Sequence, residues 1–85
     1  MTIEFTDRFK LDFSRLPREI QQRAERQLFR MASDPRHPSL RIKKMKGTSD
    51  IWEGRVTKEY RFTFQVEADR YVLRRIGTHD ILKTP

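Results

Sequence analysis

Cysteine is absent from the sequence, which excludes a disulfide-built scaffold and a thiolate zinc site. Long apolar runs are absent too. The longest, Tyr71-Val72-Leu73, falls far short of the roughly 20 residues needed to cross a bilayer. The opening MTIEFTDRFK has no apolar stretch of the signal-peptide kind. Glycine is scarce: Gly47, Gly54 and Gly77 stand apart and match no phosphate-cradling fingerprint. There are two histidines, with no helical pair and no acidic cluster outside the turns, so no ligand set for a catalytic metal is evident. Ser14, Ser33, Ser39 and Ser49 lie in no strand-turn-helix elbow, which leaves a serine triad unsupported. What remains is one domain, residues 1–85, expected to be soluble and cytoplasmic, with no cofactor and no membrane association. At 35% hydrophobic content it can build a core unaided, as domains of about 55–65 residues do.

Positive charge is what the chain has in excess. Nineteen Lys and Arg against twelve Asp and Glu give a net +7. Such a balance suits a polyanionic partner: nucleic acid, an acidic protein or an anionic surface. The excess is uneven. Arg36, Arg41, Lys43, Lys44 and Lys46 fall within eleven residues that also hold His37 and no acid.

Hydrophobic spacing gives the order of elements. Ile3 and Phe5 alternate with polar neighbours and predict a short opening strand. Thr6-Asp7 can cap a helix whose Phe9, Phe13 and Leu16 share a face, while Leu11 falls off it. Pro17 suits the first turn of a second helix, with Ile20, Ala24, Leu28 and Met31 inward and Phe29 opposite. Asp34-Pro35 ends it. Residues 36–50 read as a basic loop with an extended piece at Leu40-Arg41-Ile42. Three strands follow, at about Ile51–Thr57, Tyr60–Val66 and Tyr71–Thr78, joined by turns short enough for hairpins. In the middle strand Tyr60, Phe62, Phe64 and Val66 alternate with Arg61, Thr63 and Gln65. The last strand has mixed faces, so its facing is ambiguous. The expected fold is α+β, in the order β-α-α-β-β-β: two N-terminal helices packed on a small, mainly antiparallel twisted sheet. Its second face, with Arg55, Arg61, Thr63 and Gln65 and with Arg74 or Arg75 beside them, is expected to be wet and basic.

A basic face without a metal set leaves metal-free RNA cleavage as the supported chemistry. RNA carries its own nucleophile, the 2′-hydroxyl. The protein needs cations for the developing charge and a proton-transfer group, for which an imidazole is suited at neutral pH. His79, just past the last strand, is the candidate.

The order of elements, the Tyr60-Arg61 that opens an alternating strand, and the closing Ile76-Gly77-Thr78-His79-Asp80 resemble the RelE/ParE superfamily of bacterial toxin–antitoxin toxins. So does the segment His37-Pro38-Ser39-Leu40 to Lys46-Gly47 ahead of Ile51-Trp52-Glu53-Gly54-Arg55-Val56. The resemblance implies a type II toxin that cuts messenger RNA on the ribosome without a metal and is silenced by a cognate antitoxin. It further implies that Arg61 contacts the scissile phosphate and that His79 serves as general acid or base. Arg55, Lys43, Lys44 and Lys46 fall where members place phosphate-binding residues, and His37 resembles a loop histidine of some members. The chain lacks the C-terminal tyrosine of some ribosome-dependent members. Two other readings stay open: a ParE-like inhibitor of DNA gyrase, and a basic nucleic-acid-binding module without activity. Leu11 and Phe29 are the expected antitoxin contacts.

Overall fold

The computed structural model describes all 85 residues. Strand β1 (Thr2–Phe5) leads into helix α1 (Asp7–Ser14), then α2 (Arg18–Ser33). After a 3-10 turn at Pro38–Leu40 come β2 (Lys43–Lys44), β3 (Trp52–Arg55), β4 (Tyr60–Glu67) and β5 (Arg70–Thr78), and a second 3-10 segment at His79–Lys83. The five strands form one sheet in the order β1-β5-β4-β3-β2. Only the β1–β5 pair is parallel. The expected order of elements is therefore present, with β2 added. The extended piece expected at Leu40-Arg41-Ile42 is instead the end of a 3-10 turn, capped by Arg41 at φ 46°, and the pairing falls at Lys43–Lys44. Pro38 favours the turn, because its fixed φ suits the first position of a helix.

Thr6 begins α1 as its N-cap. Its Oγ1 accepts from the Phe9 N–H (3.1 Å) and lies within hydrogen-bond reach of the Leu73 carbonyl (2.9 Å). Pro17 precedes α2, which runs from Arg18 until Asp34-Pro35 stops it. Phe9, Ala24, Leu28 and Met31 from the helices meet Phe62, Phe64, Leu73 and Ile76 from one sheet face in a single core. Phe64 and Tyr71 add an edge-to-face contact with ring centroids 5.6 Å apart. Gly54 sits under the Phe62 ring, which a Cβ there would enter.

The mixed pattern of the last strand resolves as a bulge. Thr63 pairs with Arg75 and Phe64 with Leu73, so Arg74 is an extra residue and the facing switches parity across it. Leu73 and Ile76, three apart, therefore both enter the core. Beyond Leu73, β1 no longer covers β5, and α1 supplies the missing acceptor. Asp12 takes the Ile76 N–H (3.2 Å) and the Arg75 Nε–H (2.6 Å). Burial alone would raise this carboxyl's pKa. The hydrogen bonds from Arg75 and Ile76, with the Arg75 charge and Arg8, outweigh burial and hold it below the usual carboxylate range.

The second sheet face is not the open basic floor that alternation predicts. Thr63 is fully buried and Arg61 nearly so. The C-terminal segment folds back across this face. The Pro85 carbonyl accepts from Thr63 Oγ1 (3.3 Å) and Arg74 Nε (3.0 Å), and Thr84 accepts from Arg75. Gln65 is taken up by Arg74 at 2.8 Å. The end beside the β3–β4 turn stays open.

Candidate active site

That open end is a shallow depression of about 650 Å³ lined by Arg55, Lys58, Glu59, Arg61, Thr78, His79 and Asp80. Its size falls within the range of about 300–1,000 Å³ common for ligand sites, but its lining is wholly polar and charged, which suits an anion better than an apolar ligand. An adjoining cleft, lined by Arg41, Ile42, Lys43, Glu53, Gly54, Arg55 and Arg61, shares Arg55 and Arg61 with it. Together they gather five cationic side chains against three carboxylates.

Each of these side chains is positioned by a local feature. Arg61 is the second residue of β4 and lies opposite Gly77 in the ladder. A Cβ at Gly77 would come within 2.9 Å of Ile81, so this glycine lets the C-terminal 3-10 segment pack down on β5. That packing keeps His79, the first residue of the segment, beside Arg61. The guanidinium donates through Nη2 to the Lys58 carbonyl (3.0 Å) and through Nη1 to Glu53 Oε1 (3.4 Å). His79 Nε2 lies 3.3 Å from the same Lys58 carbonyl. A carbonyl can only accept, so Nε2 carries the proton and, in the neutral ring, Nδ1 is left bare.

Arg55 ends β3 and shares the polar face with Glu53. Partial desolvation, followed by the like charges of Arg61 and Arg41, pulls its guanidinium below the usual arginine range, with Glu53 opposing. The Nε atoms of Arg55 and Arg61 are buried without a hydrogen-bond partner. Unpartnered guanidinium N–H groups beside like charges leave this corner able to accept an anion.

The other residues singled out by the sequence fall in different places. Lys43 lines the adjoining cleft, 3.9 Å from Glu53. Lys44 faces Asp50 at 3.9 Å, and Lys46 is exposed; neither lines the depression or the cleft. His37 sits at the far end of α2, where its Nδ1 accepts from the Ser39 N–H (3.2 Å) and caps the 3-10 turn. Three contributors escaped sequence reasoning. Glu53 and the Lys58 carbonyl anchor Arg61, and Gln27, buried on α2, donates to the Arg55 carbonyl (2.9 Å) and the Ser39 carbonyl (3.3 Å). A glutamine on the inward side of α2 was the one available signal for the last. No three His, Asp or Glu side chains are grouped so as to hold a metal ion.

No protein-family model matches the chain, and no curated protein matches it. Solved structures do. A YoeB/ParE toxin from Agrobacterium tumefaciens superposes with a TM-score of 0.77 at 19% identity, over 93% of this chain and 99% of that one. YafQ from E. coli gives 0.79 at 12% identity over 94% of each chain. A RelB–RelE antitoxin–toxin complex from Methanococcus jannaschii gives 0.77 at 22% identity over 95% of each. The fold is that of the RelE/ParE superfamily. Within the RelE/ParE fold, the depression described above lies where the β3–β4 turn meets the C-terminal segment, and no helix is long and apolar enough to cross a membrane.

Proposed function

We propose that this chain is the toxin of a type II toxin–antitoxin system and acts as a metal-independent messenger-RNA endonuclease. One observation carries the reading: Arg61 and His79 converge on one oxygen, the Lys58 carbonyl, inside a cation-rich depression. An arginine N–H and an imidazole N–H meeting at a single oxygen are arranged as they would be around a phosphoryl group. The solved relatives that are toxins bound to antitoxins, RelB–RelE among them, support the setting.

In this reading the RNA 2′-oxygen attacks the adjacent phosphorus and the bond to the 5′-oxygen breaks, giving a 2′,3′-cyclic phosphate and a 5′-hydroxyl end. Arg61 and Arg55 neutralise the phosphorane charge. The imidazolium form of His79, protonated at both ring nitrogens, gives its Nε2 proton to the departing 5′-oxygen and is left neutral. Glu59 and Asp80, in the same depression, are the carboxylates available to take the 2′-hydroxyl proton. Lys43 and Arg41 extend the cationic track toward a neighbouring phosphate, and in this structure Lys44 and Lys46 lie outside that track. The antitoxin is expected to cover exposed apolar side chains: Phe29 (77% exposed), Leu11 and Phe5.

Expression with and without the neighbouring antitoxin, with 5′ ends of messenger RNA mapped during translation, tests this. Growth arrest with cuts in the ribosomal A site is the expected result. Arrest with double-strand DNA breaks and intact message would overturn it in favour of gyrase inhibition. No arrest would leave a nucleic-acid-binding module.

A further inference from the structure

The Lys58 carbonyl belongs to the four-residue connection Val56-Thr57-Lys58-Glu59 between β3 and β4, which contains no proline to stiffen it. Its shape is held by Thr57. The Thr57 Oγ1 accepts from the Tyr60 N–H (3.2 Å) and the Glu59 N–H (3.3 Å), while the Val56 and Thr57 N–H groups both donate to the Tyr60 carbonyl (2.9 and 3.2 Å). A threonine hydroxyl closing a turn in this way substitutes for a missing backbone bond.

We propose that Thr57 is a positioning residue: its hydroxyl fixes the Lys58 carbonyl, and through that oxygen it sets the Arg61 guanidinium and the His79 imidazole. The catalytic consequence rests on the ribonuclease reading; the structural one does not. The contact from Arg61, at 3.0 Å, has an ordinary N–H···O length and that from His79, at 3.3 Å, is long, so a shift of about 1 Å would break both. Misplacement on that scale can cost about 10²-fold in rate. The turn thus governs two side chains, one from β4 and one from the C-terminal 3-10 segment, that have no direct hydrogen bond to each other.

Thr57→Val keeps the volume and branching but removes the acceptor, and Thr57→Ser keeps the hydroxyl. Imidazole ¹⁵N spectra of the full chain, recorded at one fixed pH for every variant, are the first readout. In Thr57→Val the His79 resonances move toward those of a free, exchanging imidazole, while Thr57→Ser stays like the parent. His37, held by Ser39, is unchanged in both and serves as the internal control. The second readout is RNA cleavage. Thr57→Val lowers kcat by about 10- to 100-fold with KM unchanged, Thr57→Ser restores it, and the loss does not multiply in a His79→Ala background. Unchanged His79 resonances in Thr57→Val, or a loss that multiplies with His79→Ala, overturns the proposal. A parent chain that cuts no RNA defeats the ribonuclease reading alone, since the spectra still decide what Thr57 does.

Discussion

Arg61 Nη1 lies 3.4 Å from Glu53 Oε1, and both side chains are almost shut off from solvent. The strand arginine of the site is therefore held by a carboxylate from the neighbouring strand, with Lys43 3.9 Å from the same oxygen. Removing the charge on one side of such a pair leaves the other poorly compensated. Glu53→Gln is expected to cost about 1–3 kcal/mol, read from denaturant unfolding. It should also tighten RNA binding, since the cleft loses its one carboxylate, and salt titration of binding would register the stronger cationic field.

His79 is exposed and makes one side-chain contact, to the Lys58 carbonyl. His79→Ala should slow RNA cleavage by about 10²–10⁴-fold, as loss of a proton donor does. Its stability should stay within about 0.5 kcal/mol of the parent, as for most surface substitutions. Near-normal cleavage would remove the imidazole from the mechanism.

Asp12 sets part of the acid response. Its carboxyl is held below the ordinary range despite burial, because Arg75 and the Ile76 N–H stabilise the ionised form. A folded pKa lower than the unfolded one adds stability that is complete above about pH 4 and is lost as pH falls through the folded value. Asp12→Asn should therefore be less stable at neutral pH and should lose less on acidification below pH 4. Urea midpoints measured from pH 7 to pH 2 check both.

Much of this fold is legible in local spacing. Phe9 and the Ala24–Leu28–Met31 stripe announce their faces by helical period, and Phe62 and Phe64 by alternation. The polar side of β4 misleads. Arg61 and Thr63 alternate as solvent-facing residues should, yet a segment from the far end of the chain covers one and Glu53 engages the other. The cover over Thr63 depends on a contact across 22 residues, longer than a periodicity window, and the Glu53–Arg61 pair on a strand register that spacing alone does not give. The bulge at Arg74 is similarly hidden, since a parity switch looks like noise until the partner strand is known. Resemblance to a family is what links Arg61 with His79 in the sequence; the turn that joins them has no signature beyond a threonine.

Ala68, in the β4–β5 turn, holds φ at 47°, a region that disfavours any side chain. Glycine is free of that penalty of about 1–2 kcal/mol, but loses about 0.5–1 kcal/mol more conformational entropy on folding. Ala68→Gly should therefore stabilise the protein by up to about 1 kcal/mol, seen as a higher melting temperature. A lower one would mean the turn draws on the alanine methyl.

The parallel pairing of β1 with β5 joins Thr2–Phe5 to Arg70–Leu73, the first strand to the last. A nascent chain cannot close this sheet while its final strand is still inside the exit tunnel. Until then β5 is missing, and so is the ladder partner of Arg61. Synthesis itself thus delays any assembled cationic centre until β5 has left the tunnel.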